Sequence, residues 1–438
     1  MASVSAPGAD VAIGAAADAA ALKRRGVTLA LLTAAYFFSY MDRQILAILQ
    51  EDIRRDLLLS DTQLGLLAGF AFAIFYATLG LPVARLADRG NRVNIIAIAL
   101  ALWSGMTAVC GLAQNFVQLL LARIGVGIGE AGSSPPSHSM IADLYPPEKR
   151  AGAMGIYSLG VVLGAAGGTM IGGTLAHFFG WRVAMFAVGI PGIILAVIIK
   201  LFVIEPRRGM SDPAHAAASA ADMPAFGAGF RSLFANRAAV HLVMAVTITS
   251  LIGYGHTAFG PSFMIRSMGL DKLQIASIVA PIGAVCGTLS AVGGGWLANW
   301  AAARWGLHAQ SWLVLTMKAV GLPLSFLFFA SSDPWIGVPI YWLSIILVNS
   351  YLGPTFALIQ GLAPLRMRAL WAAVTLLVIN LIGLGLGPTM IGVISDLLKP
   401  SMGDAESLRW AMLTFAAVTP WALFHYWRAG VWLKRGVA

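Results

Sequence analysis

An aspartate and an arginine stand side by side in the apolar run FSYMDRQILAIL, residues 38–49, and an arginine and a glutamate stand seven residues apart in RIGVGIGEA, residues 123–131. A charge at the centre of a bilayer costs at least about 2.5 kcal/mol on insertion scales, so these four need work to do. A carboxyl group in a low-dielectric cavity is disfavoured as an anion, while a nearby guanidinium favours it. A small rearrangement can therefore load or release a proton. Arginine stays charged and forks onto a carboxylate or phosphate. The expectation is that Asp42 and Glu130 couple protons and that Arg43 and Arg123 hold an anionic ligand.

The elements that carry these residues must be membrane helices. Hydrophobic residues make up 58% of the 438 and charged ones 11%, with a mean hydropathy of +0.80, whereas a soluble domain carries about 25% charged residues. Runs of about 20 apolar residues recur twelve times, at 27–49, 62–84, 93–113, 116–141, 152–176, 183–204, 238–263, 273–297, 310–330, 336–360, 370–395 and 408–429. An all-α integral membrane fold of twelve transmembrane helices follows. Cys110 and Cys286 both fall in apolar runs, which argues against a disulfide framework or a metal cluster.

With the N-terminus inside, 19 of the 29 Lys and Arg lie on the cytoplasmic side and seven on the other. That asymmetry predicts both termini in the cytoplasm, in a bacterial inner membrane. It also assigns the net charge of +10 to lipid headgroups rather than nucleic acid. At about 1.5 Å per residue, Asp42 and Arg123 share a level in a core about 30 Å thick, and Glu130 lies about 10 Å deeper on the same helix face. Both arginines are expected beside the upper acid.

The longest hydrophilic connection, 205–237, divides the spans six and six. The organisation expected is a solvated tail at 1–22, six-helix bundles at 23–204 and 238–429 joined by a cytoplasmic linker at 205–237, and a short tail at 430–438. The halves share short matches: RLADR at 85–89 with WLANW at 296–300, Gln63 with Gln274 at the same offset of 211, and TMIG at 169–172 and 389–392. Their matching places favour duplication of a six-helix unit into two pseudo-symmetric halves.

ARLADRGNR between the second and third spans, RIGVGIGEA on the fourth and GVVLGAAGG (160–168) on the fifth resemble the major facilitator superfamily over the whole chain. YMDRQ, the block at 123–160 and GWR at 180–182 look most like its Spinster branch. That resemblance implies a proton-linked carrier of lysolipids or sphingoid lipids. The shorter Asp-Arg and Gly-Glu-Ala pieces also resemble the organic-anion symporters, which leaves a proton symporter of small organic anions as the alternative.

The second half shows no acid at mid-depth, so the cavity is expected to be charged on one side and apolar on the other. An amphipathic anionic molecule fits such a lining, its body against Phe259, Phe263 and Phe356, with His256, Asn349 and Asn380 as hydrogen-bonding candidates. Lys318 is expected to snorkel or meet a lipid phosphate. Gly160, Gly164, Gly168 and Gly172 give the fifth span a smooth face for close approach. Asp88, with Arg92 and Arg150 nearby, is expected to gate the cytoplasmic side. No HExxH, GxSxG or Asp-rich phosphate motif points to an enzyme. The reading is a secondary carrier, expected as a monomer, with no cofactor beyond the coupling proton, working by alternating access between its two halves.

Overall fold

The computed structural model describes residues 18–211 and 226–436. Twelve spans are present among them. The first is the helix Arg25–Leu57, longer than its apolar run because the charged segment EDIRRD continues the helix. The second is Asp61–Ala68 and Phe70–Arg89, interrupted at Gly69. The third is Arg92–Cys110, and the fourth is Phe116–Glu130 with Ser134–Leu144. The fifth and sixth form one helix, Pro147–Phe202, folded back at Gly180, whose φ of 84° suits a residue without a side chain.

The second half repeats the pattern. Its seventh span is Arg237–Met268. The eighth runs through Lys272–Gln274, a π turn at Ile275–Val279 and Ala280–Trp305. The ninth is His308–Ala330, and the tenth is Pro334–Val348 with Leu352–Leu362. The eleventh begins at Arg368–Val378, passes a π turn at Ile379–Leu384 and continues in Gly385–Ala417, which reverses into the twelfth at Gly403, φ 79°. Thr419–Lys434 completes it.

The offset of 211 returns in the backbone. Leu58 and Gly269, at that offset, end the first and seventh spans in the left-handed conformation. Ser60 and Asp271 then start the second and eighth with capping boxes closed by Gln63 and Gln274. The glutamines that match in sequence thus perform one task, satisfying the free backbone donors of a helix start.

Glycines decide how the fifth span sits. A Cβ on Gly160, Gly164 or Gly168 would stand 2.8, 2.3 or 2.6 Å from the carbonyl oxygens of Thr33, Phe37 and Met41, successive turns of the first span. The two backbones touch, and this contact holds Asp42 and Arg43 in place. Cys110 and Cys286 are free buried thiols.

Two connections differ from expectation. Residues 18–22, the end of the expected tail, are helical with Ala21 buried, and the rest of that tail lies outside the described residues. The expected linker ends in a helix, Phe226–Ala235, whose Leu233 is buried. Its segment 212–225 lies outside the described residues.

Candidate proton and substrate site

The four charges form two ion pairs that cross from the first span to the fourth. Asp42 Oδ2 accepts from Arg123 Nη1 at 3.2 Å, and its Oδ1 accepts from the Thr107 hydroxyl at 2.5 Å. Both oxygens are satisfied in a residue 1% exposed. Arg123, equally buried, also reaches the Leu67 carbonyl at 3.4 Å.

Arg43 corrects the sequence expectation, because it stands beside the deeper acid rather than the upper one. Its Nε and Nη2 donate to Glu130 Oε2 at 2.8 and 2.6 Å. The reason is helical: adjacent residues point about 100° apart, so Asp42 and Arg43 face different places on the neighbouring span. Ser39, one turn before Arg43, donates to the same oxygen at 3.0 Å. Oε2 thus accepts three hydrogen bonds while the buried Oε1 has no partner among the described residues. Three rings surround the guanidinium, with Tyr40, Phe72 and Tyr76 centroids 5.0, 4.9 and 4.7 Å from Cζ.

Arg43 and Arg123 line a cavity of about 70 Å³ between the halves. Its remaining wall includes Phe72 and Ala47 and, from the second half, Tyr254, Ala258 and Leu384. Thr257 lines this cavity and two others, one of about 170 Å³ within the second half and one of about 350 Å³ between the fifth and eighth spans.

The other candidates divide. His256 and Asn349 line the second and third of these cavities, and His256 Nε2 lies 3.0 Å from the Met412 carbonyl. Phe259 does not reach them: it is fully buried, as is Phe263, in the core between helices. Phe356 packs against another core cluster. Asn380 sits in the π turn of the eleventh span and lines none of the three cavities. Lys318 neither snorkels nor meets lipid; it is 3% exposed and lines the second-half cavity. An aromatic on an all-apolar helix gives no sign of which face turns inward, and that ambiguity explains these misses.

Of the gating candidates, Arg92 is a brace rather than a latch. It is fully buried and binds Asp143, Glu205 at 2.6 Å, Ser139 at 2.8 Å and the Pro206 carbonyl at 2.6 Å, all in its own half or the chain just after it. Arg150 donates to the Ala142 carbonyl at 3.1 Å, and Asp88 is exposed. The ion pairs that join the halves lie at the opposite end. Arg266 holds Glu51 and Asp61 at 2.6 and 2.7 Å, Arg54 holds Asp404 at 2.6 Å, and Lys272 holds Asp52 at 2.5 Å. Asp396 accepts from the backbone of Asp61 and Thr62 at 3.1 and 2.7 Å, a carboxylate docked on the start of the second span. Sequence reasoning missed this latch. Its signal was the cluster of charges in EDIRRD, one helix end before the glutamine cap.

Comparison with known proteins places this arrangement. Residues 32–388 match the model of the Major Facilitator Superfamily. A relative described as an MFS-type efflux pump, from Mycolicibacterium smegmatis, is 33% identical over 91% of each chain. A crystal structure described as a bacterial homolog to the human lysosomal transporter Spinster, inward-facing and unoccupied, superposes with a TM-score of 0.84 at 30% identity, covering 94% of this chain and 98% of that one. A probable L-galactonate transporter of Escherichia coli is 27% identical over 62% of this chain and 60% of its own length. The sphingosine-1-phosphate transporter SPNS2 of Danio rerio is 27% identical over 53% of this chain and 46% of its own. Two six-helix halves, charges paired across the first and fourth spans and these likenesses together make the chain a member of the Major Facilitator Superfamily, a Spinster-like membrane transporter and not an enzyme.

Proposed function

We propose that this transporter is proton-coupled and carries an amphipathic molecule with an anionic head, and that Glu130 is where proton and substrate meet. The observation that carries the reading is the lopsided carboxylate: one oxygen of Glu130 accepts three hydrogen bonds while the other, buried, accepts none among the described residues. A proton can enter at Oε1 without breaking a bond already made. Once neutral, Glu130 holds Arg43 less strongly, and the guanidinium, 15% exposed toward the central cavity, is freed to take an anionic head. The rings of Tyr40, Phe72 and Tyr76 keep it in place while it changes partner.

Proton and anion then favour each other's binding, because each relieves a cost that the other leaves. They load together and travel the same way. Asp42, with both oxygens satisfied, keeps Arg123 fixed. One proton moving through about 100 mV supplies about 2.3 kcal/mol. The termini lie in the cytoplasm, so the latched end faces out and the site opens inward.

The apolar wall formed by Tyr254, Ala258 and Leu384 supports a hydrocarbon body behind the head. SPNS2, a sphingosine-1-phosphate transporter, has a ligand of that kind. Likeness to the L-galactonate transporter favours a second reading, symport of small organic anions. Equilibrium binding of a lysophospholipid to the purified protein tests both. Affinity should rise as pH falls, by up to about tenfold per unit for one linked proton, and Glu130→Gln should bind with a flat pH profile. A wild-type profile in that variant sinks the role of Glu130. Displacement of the lipid by galactonate would replace the first reading with the second.

A further inference from the structure

Lys318 is an ammonium whose partner is not a carboxylate. It projects from the ninth span into the second-half cavity, whose walls come from the seventh, ninth, tenth and twelfth spans. Among the described residues no acid pairs with it. Its Nζ donates to the Val348 carbonyl at 3.0 Å and lies 4.4 Å from the centroid of Tyr351. Val348 ends the first segment of the broken tenth span, so the ammonium sits at the negative end of a half-helix. That contact makes a buried cation tolerable. It uses one of three donors.

The rest of the cavity suits an organic acid. The hydroxyls of Ser325 and Ser344, 3.0 Å apart, and the amide of Asn349 line its polar side; Leu322, Phe328 and Phe329 line its apolar side. Among the described residues no acidic side chain contributes to the lining. In the central cavity each arginine already holds an acid of the protein, whereas here the anion must come from outside.

We propose that this cavity is a second anion subsite, in which Lys318 holds the carboxylate of an organic acid whose apolar body lies against Leu322, Phe328 and Phe329. A carboxylate fits better than a phosphate, because one ammonium without a guanidinium fork balances one negative charge and would leave a dianion uncompensated in an apolar wall. The subsite uses residues other than those of the proton-linked head site and stands without it. Such an acid can come from the membrane as a fatty acid or from water as an aromatic acid.

Binding to the full chain in phosphatidylcholine nanodiscs separates the outcomes, with laurate, methyl laurate and phenylacetate as probes. Laurate is expected to bind and methyl laurate is not. Lys318→Met should weaken laurate by about tenfold or more, the worth of a charge-assisted hydrogen bond. Gly253→Leu should do the same by filling the space: Gly253 lines this cavity, and beyond its own stretch of helix backbone none of the described residues lies within 4 Å of where its Cβ would stand. That variant decides the matter if loss of the Val348 contact unfolds Lys318→Met. Binding of phenylacetate as well as laurate assigns the subsite to water-borne acids, and laurate alone assigns it to the membrane. Laurate affinity within about twofold of wild type in both cavity variants or equal binding of the methyl ester would each overturn the proposal.

Discussion

Thr107 shows what a residue-level reading of the sequence omits. The shared depth of Asp42 and Arg123 follows from helical rise alone, and the structure pairs them at 3.2 Å. Nothing in the sequence marks a threonine on the third span as the second partner, because a hydroxyl in an apolar run more often bonds its own helix backbone. Yet its bond to Asp42 is the shorter of the two, at 2.5 Å. Thr107→Val keeps the shape and removes the donor, leaving a buried carboxylate oxygen unmatched. Stability should fall by about 1–3 kcal/mol, measured as a lower midpoint of thermal unfolding in detergent, and Thr107→Ser should recover most of it. An unchanged midpoint for Thr107→Val would mean that Asp42 is satisfied by Arg123 alone. The placement of Arg43 was illegible for a different reason: its rotation about the first span relative to Asp42 can be computed, but the rotation of the fourth span against it cannot.

Among the elements, the fifth span was legible as a glycine face and illegible as to its partner. Four glycines at intervals of four announce a close approach, but any neighbouring helix satisfies that pattern. The structure gives the first span, with Phe37 O 2.3 Å from where a Cβ on Gly164 would stand. Gly164→Ala must push the backbones apart and should cost about 1–3 kcal/mol, in the range of an overpacked core. Gly152, earlier in the same helix, has nothing among the described residues within 4 Å of its Cβ position beyond its own stretch of helix backbone. There an alanine should stabilise by about 0.5–1 kcal/mol through helix propensity. The pair of variants separates packing from propensity, with thermal unfolding as the measurement. Should Gly164→Ala match Gly152→Ala, the first and fifth spans are not held backbone to backbone. The broken fourth and tenth spans were read as continuous, because an apolar run carries no mark of a mid-membrane turn.

At the scale of the molecule, the six-and-six layout was legible from charge and hydropathy, while the conformation was not. Which end closes depends on cross-half contacts that no single half encodes. Here the latch of Arg54, Arg266, Lys272, Asp396 and Asp404 closes one end, supported where the second and eleventh spans cross. A Cβ on Gly392 would stand 2.1 Å from the Asp61 carbonyl and one on Gly65 2.4 Å from the Pro388 carbonyl. Gly392→Val should therefore disfavour this closed end and raise labelling of cysteines introduced there, as should Arg266→Gln. Asp404, in the connection just after Gly403, supplies the pH sign. Burial works to raise its pKa, but the hydrogen bond from Lys399 and the charges of Arg266 and Arg54 outweigh it and hold the carboxyl below its ordinary value of 3.8. A depressed carboxylate contributes above its ordinary value, and the contribution is lost only as pH falls through the lower folded one. Asp404 thus stays charged throughout mild acid. Cysteine labelling at the latched end, measured without substrate, should not change through any titration of Asp404 from about pH 8 down to about pH 5. A rise in labelling over that range that disappears in Asp404→Asn would place the pH switch in the latch and remove it from Glu130. A rise that disappears in Glu130→Gln would tie the proton at the centre to opening of the end.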